Sequence, residues 1–134
     1  MLLWQVMWDT KERTIVSNDS WAILKMLDGP FRQLGRFASL PPPLLPAHLA
    51  AAIEEKHTKI YDSLLNGVYR AGVMLIHGNQ KGHDAAAAGV YEALGSLDEQ
   101  LGTNRFLMGD AMTAVDLRAS ATLFRRRDED EQYV

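Results

Sequence analysis

Four small groups of residues have types and spacings that could do chemistry. Ser17, Asn18, Asp19 and Ser20 precede an apolar stretch. Such residues cap a helix start, and the free N–H groups and partial positive charge there can hold a carboxylate. Tyr69 and Arg70 stand at the end of a long helical pattern. A tyrosine there is by residue type a core residue with a satisfied hydroxyl, and Arg70 pairs with a carboxylate near the helix end. His77, His83 and Asp84 are metal-donor types, but their spacing matches no helical zinc pattern and the glycines around them predict a solvated loop. Thr113 and Asp116, three residues apart before an apolar run, form a capping box: the threonine hydroxyl accepts from the Asp116 N–H and the carboxylate from the Thr113 N–H.

Other chemistries are excluded by what the chain lacks. It has no cysteine, hence no disulfide, no thiolate metal ligand and no thiol nucleophile. Lys81 between Gly78 and Gly82 lacks the Gly-Lys-Ser/Thr ending of a phosphate loop. Arg125, Arg126 and Arg127 are followed at once by Asp128, Glu129, Asp130 and Glu131. With a net charge of −3, that cancellation argues against nucleic acid as a partner. No apolar run reaches the roughly 18 residues of a membrane helix, and the first residues have no signal-peptide pattern. The expectation is a soluble, cytoplasmic protein without metal, nucleic-acid or membrane partners.

The elements that must position these residues follow from periodicity. Residues 2–8 read as one strand, 9–13 as a turn and 14–17 as a second strand. This hairpin should be the edge of a larger sheet, because two strands alone are marginal in water. A helix follows to Leu27, with Ile23, Leu24 and Leu27 on one face, and Asp28-Gly29-Pro30 stops it. Residues 31–46, with prolines at 41, 42, 43 and 46, form a linker that cannot be helix or central strand. The dominant stretch is 45–72, where Leu49, Ile53, His57, Ile60, Leu64 and Val68 draw one stripe down a helix. A loop at 78–83 leads to a helix over 84–101, with Val90, Leu94, Leu97 and Leu101 inward. After an extended connection at 106–110, a helix from Thr113 has Leu117, Ala121 and Phe124 on its inner face.

The segment Asn66-Gly67-Val68-Tyr69-Arg70-Ala71-Gly72 resembles the NNGVYRAGF signature of the glutathionyl-hydroquinone reductases, the Xi class of omega-like glutathione transferases. The resemblance extends to Trp8-Asp9, to Ile15-Val16-Ser17-Asn18, and to Gly109-Asp110 with Thr113 and Asp116. It implies a mainly α fold: residues 1–29 end a thioredoxin-like glutathione-binding domain with its terminal β-β-α piece, 30–45 are a proline-rich linker, and 46–134 are most of an all-α domain. It also implies glutathione as cosubstrate and a quinone-type substrate. Trp4, Asp19 and Ser20 would bind glutathione, the last two at its γ-glutamyl end, and the Tyr69 hydroxyl would reach the hydroquinone oxygen. Departures are Asp19 for the usual glutamate, Leu65 for asparagine, and Gln5 for the proline whose cis bond presents the Trp4 backbone; Gln5 is expected to be trans.

In such enzymes a cysteine attacks the glutathionyl sulfur of the substrate and forms a mixed disulfide, which a second glutathione resolves. The motif carrying that cysteine lies upstream of the region matched. Two readings follow. The chain is a fragment of a glutathione-dependent reductase, inactive by itself, or it is a cysteine-free binding domain for glutathione conjugates, hydrophobic ligands or a partner subunit. A homodimer is compatible with either.

Overall fold

The computed structural model describes residues 5–34 and 41–131, except for the side chains of residues 33 and 125–131. The chain divides into two compact units, Met1–Pro46 and Ala47–Val134.

In the first unit, β1 (Met7–Asp9) pairs antiparallel with β2 (Thr14–Ser17), with Trp8 opposite Ile15 and an irregularity between Met7 and Trp8. The first strand is shorter than expected; Gln5 and Val6 precede it unpaired, and residues 2–4 lie outside the described residues. The turn is built by Asp9, whose Oδ1 accepts from the N–H groups of Lys11 (2.8 Å) and Glu12 (2.9 Å), an Asx turn. Val6, Trp8, Ile15 and Val16 are all exposed. Helix α1 (Ser20–Asp28) begins at Asp19 and stops at Gly29. Trp21 is its buried residue, whereas Leu27, expected on the inner face, is 53% exposed. Part of the expected linker is ordered as a 3-10 turn, Pro30–Leu34. Its leading proline supplies the φ such a turn needs and no N–H that it would leave unbonded.

We expect the segment 1–27 to exchange its amide protons faster than the long helices of the second unit, since so much of the hairpin's apolar surface is uncovered. Site-resolved hydrogen exchange checks this; equal protection of the two regions would refute it.

The second unit is helical. The long stripe over 45–72 is not one uninterrupted α-helix. A 3-10 turn (Ala47–Leu49) leads into α2 (Ala50–Ile60), a single π turn (Tyr61–Leu65) follows, and α3 (Asn66–Ile76) continues it. Ile53, Ile60 and Leu64 are buried as the stripe requires, but the inward face then passes to Gly67 and Ala71, leaving Val68 43% exposed. A Cβ on Gly67 would lie 2.7 Å from Cγ2 of Val90. The crossing of α3 with the next helix therefore needs a residue without a side chain, which apolar periodicity does not reveal.

That helix, α4 (Gln80–Thr103), starts earlier than the sequence suggests. The Asn79 side chain caps it by accepting from the Gly82 N–H at 2.9 Å, so 80–83, read as loop from their glycine and polar content, form its first turn. Val90 and Leu97 are buried, but Leu101 is 45% exposed. Gly89 and Gly95 lie in the helix with open space where a Cβ would point. Replacing either with alanine should stabilise the fold by about 0.5–1 kcal/mol, read as an upward shift of the urea midpoint.

A tight turn replaces the expected extended connection: Phe106 and Gly109 exchange both backbone hydrogen bonds, at 3.0 and 3.1 Å, with Gly109 at φ +112°. Helix α5 (Ala114–Glu131) then packs on α2. Its inner face is Ala114, Val115 and Ala119, not Leu117, Ala121 and Phe124; Leu117 is 38% and Phe124 66% exposed. Small residues let the two helices approach closely, and the large apolar ones face outward.

On α2, the Lys59 ammonium donates to Glu55 at 2.6 Å and holds that carboxyl below its ordinary range. A lowered folded value means this pair favours the folded state above the ordinary glutamate range and ceases to do so as pH falls through the folded value. Both groups are exposed, so salt screens the effect.

Candidate functional site

In the first unit the sequence-predicted residues meet at the start of α1. Asp19 is extended (φ −93°, ψ 115°), and its Oδ1 accepts from the Ala22 N–H at 2.7 Å. Its own N–H donates to the Ser17 hydroxyl at 3.1 Å. Asp19 is exposed and Ser20 half-buried, so a capped helix start faces solvent. One carboxylate oxygen is committed to the cap, which fixes the carboxylate's direction and keeps a negative charge beside the helix N-terminus. That arrangement suits a zwitterion: ammonium on Asp19, carboxylate on N–H groups. Trp4 and its bond to Gln5 lie outside the described residues.

The predicted residue of the second unit, Tyr69, is on α3 and 54% exposed. With Val73 and Ile76, 48% and 83% exposed, it forms a stripe at steps of four and three, an apolar helix face carrying a phenol. Among the described residues Arg70 has no carboxylate partner. Its Nη2 donates to the backbone carbonyl of Asp62 at 2.6 Å, an acceptor in the π turn, where the Asn66 N–H bonds the Tyr61 carbonyl. Leu65 is half-buried.

Three residues that the sequence did not single out as a group gather at the same irregular turn. The Tyr61 ring lies 5.9 Å from the His57 ring, and the Arg118 guanidinium of α5 stands 5.7 Å from the Tyr61 ring centroid. The i, i+4 spacing of His57 and Tyr61 was legible; the approach of Arg118 from α5 was not. Beside the turn, an open groove of about 640 Å³ runs between α3 and α4. Ala85, Ala86, Gly89 and Ala93 line it with Ser63, Arg70, Glu92 and Ser96, and Tyr69 is not among its lining residues.

The remaining candidates are structural. The Asp116 Oδ2 accepts from both the N–H and the hydroxyl of Thr113, each at 2.8 Å. The hydroxyl thus donates to the carboxylate, rather than accepting from the Asp116 N–H, which bonds the Thr113 carbonyl at 3.1 Å. The Asp116 Oδ1 accepts from the Leu107 N–H at 2.8 Å. His83 Nδ1 lies 3.0 Å from the Ala71 carbonyl, tying α4 to α3, and Asp84 accepts from Gln80 at 2.6 Å. Among the described residues no three His, Cys, Asp or Glu side chains converge as a metal site, and no helix is long and apolar enough to cross a membrane.

The profile of the family "Glutathione S-transferase, C-terminal domain" matches residues 42–131. Over 120 residues the chain is 40% identical to the glutathionyl-hydroquinone reductase YqjG of Escherichia coli K12 and 32% identical to the glutathionyl-hydroquinone reductase PcpF of Sphingobium chlorophenolicum. Each alignment takes in 90% of this chain but only 35% and 36% of the relative, so the chain spans about a third of their length. Among solved structures it is similar to glutathione-bound YqjG (TM-score 0.80, 39% identity, 90% of this chain and 37% of that one). It is also similar to the Xi glutathione transferase of Phanerochaete chrysosporium (TM-score 0.81, 33% identity, 90% and 39%). A short antiparallel hairpin followed by a helical unit is thus the shared architecture, and the chain belongs to the glutathione S-transferase C-terminal domain family.

Proposed function

We propose that these 134 residues are part of a glutathione-dependent reductase of glutathionyl-hydroquinones, whose cysteine nucleophile is supplied by polypeptide outside them. The observation that carries this reading is the 40% identity to a glutathionyl-hydroquinone reductase along 90% of the chain, with no cysteine anywhere in it. In this reading 1–29 complete a thioredoxin-like domain, 30–45 are the linker and 46–134 the helical domain. Asp19 and Ser20 hold the γ-glutamyl end of glutathione, with the Trp4 backbone at its cysteinyl part. Tyr69 donates its hydroxyl to the quinol oxygen, supported by its exposure on α3. Glutathione is the cosubstrate, no metal takes part, the setting is the cytoplasm, and the reading is compatible with a homodimer.

Alone, the chain has no thiolate to attack the substrate sulfur, and loss of a nucleophile removes most of an enzyme's rate enhancement. Purified chain is expected to give no glutathione-dependent reduction of a glutathionyl-hydroquinone; turnover would overturn this account. The buried helical core, with side-chain caps at the starts of α4 and α5, favours a second reading, a cysteine-free binding domain. Micromolar binding of a glutathione conjugate by the isolated chain would support it, and absence of binding at millimolar ligand would remove it. Intact mass of the natural product decides between the two: a longer species with an upstream cysteine fits the reductase, a cysteine-free product of 15.0 kDa the binding domain. In a cysteine-bearing product, Tyr69→Phe is expected to lower kcat/KM about tenfold, the worth of one neutral hydrogen bond to the reacting species.

A further inference from the structure

Asp28 violates the rule of its own helix. It is the last residue of α1, where the macrodipole disfavours negative charge, and its side chain is only 6% exposed. A carboxylate so placed needs partners from elsewhere, and among the described residues it has two. Oδ1 accepts from Arg32 Nη1 at 3.1 Å, one turn on in the 3-10 segment. Oδ2 accepts from the backbone N–H of Leu45 at 2.9 Å, seventeen residues away. The same Arg32 nitrogen lies 3.5 Å from the Pro42 carbonyl.

The chain around these bonds is suited to being held at one point. Gly29 turns it sharply beneath α1, where a Cβ would meet the Lys25 carbonyl oxygen at 2.8 Å. At 41–43 three consecutive prolines fix φ and leave carbonyls without neighbouring N–H groups, one of which Arg32 approaches. Leu45 offers the last N–H before Pro46, which has none, and Ala47 opens the second unit. A stiff proline segment pinned at its far end has a defined exit; unpinned, it could leave in many directions.

We propose that Asp28 is a positioning residue, a clasp that fastens the end of the proline connector to the C-terminal end of α1 and so sets where the chain leaves the first unit. The clasp is independent of the proposed catalytic reading, since none of its residues is assigned to ligand or chemistry.

Amide hydrogen exchange on the full 134-residue chain tests it, read at Leu45 and at Ile23, whose N–H bonds the Asp19 carbonyl within α1. In the unsubstituted protein the Leu45 amide should be protected about tenfold or more over an unstructured amide. Asp28→Ala should speed its exchange at least about tenfold while Ile23 changes less than about twofold. Asp28→Asn retains an oxygen for the Leu45 N–H but loses the charge facing Arg32, and should fall between; if the alanine variant does not fold, the asparagine variant decides by the same comparison. An unprotected Leu45 amide, a Leu45 rate unchanged by substitution, or Leu45 and Ile23 accelerating together would overturn the clasp, the last because it would make Asp28 only a support of α1.

Discussion

Asp116→Ala should destabilise the helical unit by about 3 kcal/mol. The carboxylate receives three hydrogen bonds, from the Thr113 N–H, the Thr113 hydroxyl and the Leu107 N–H. Thr113 and Leu107 are 1% and 3% exposed, so water cannot readily replace the lost acceptor. A helix cap alone is worth about 1 kcal/mol and a hydrogen bond to a charged group about 1.5–3. The sum is a large share of the 5–15 kcal/mol that typically separates folded from unfolded chains. Thr113→Val removes only the hydroxyl and should cost about 1 kcal/mol. Urea denaturation of both variants checks the ordering; equal losses would mean that the bonds from the Thr113 and Leu107 N–H groups contribute nothing.

The consequence extends beyond one helix end. The Leu107 carbonyl also accepts from Gln100 Nε2 at 2.8 Å, and Gln100 Oε1 accepts from Lys56 Nζ at 2.6 Å. A single polar chain thus runs from α2 through α4 and the Phe106–Gly109 turn to the cap of α5. Removing Asp116 leaves the turn held from one side only.

Gly67→Ala is the second large effect, and its sign opposes helix propensity. Alanine in a helix interior normally gains about 1 kcal/mol over glycine. Here the new Cβ would stand 2.7 Å from Val90 Cγ2, at a buried crossing where overpacking costs about 1–3 kcal/mol. The net expectation is a loss of about 1–2 kcal/mol. Gly72, five residues on in the same helix and with nothing near its Cβ direction, should instead gain up to about 1 kcal/mol on becoming alanine. Pairing Gly67→Ala with Val90→Ala should recover the clash part of the loss, and a double-mutant cycle measures it. A Gly67→Ala protein as stable as the Gly72→Ala protein would contradict the close crossing.

The glycine also explains where the sequence misleads. Hydrophobic periodicity drew the stripe through Val68 because a β-branched apolar residue looks like core; packing drew it through Gly67 because α4 comes too close for a side chain. The same error recurs on α5, where large Leu117 and Phe124 seemed the inner face and small Ala114 and Ala119 were. Side-chain size is a guide to burial only while the distance between helices is unknown.

The sequence by itself determined local matters: the second strand, a helix start within residues 17–20, the existence of the helices, the Asp116 cap on Thr113, and the family through a seven-residue segment and the short blocks that accompany it. These depend on residues within a turn or two of one another, where type and spacing suffice. Only the tertiary structure decided which faces turn inward, that Arg118 meets Tyr61, and that Asp28 holds Leu45. Each of those depends on groups distant in sequence competing for one partner or one volume, and the winner is set by approach distances that no local pattern encodes.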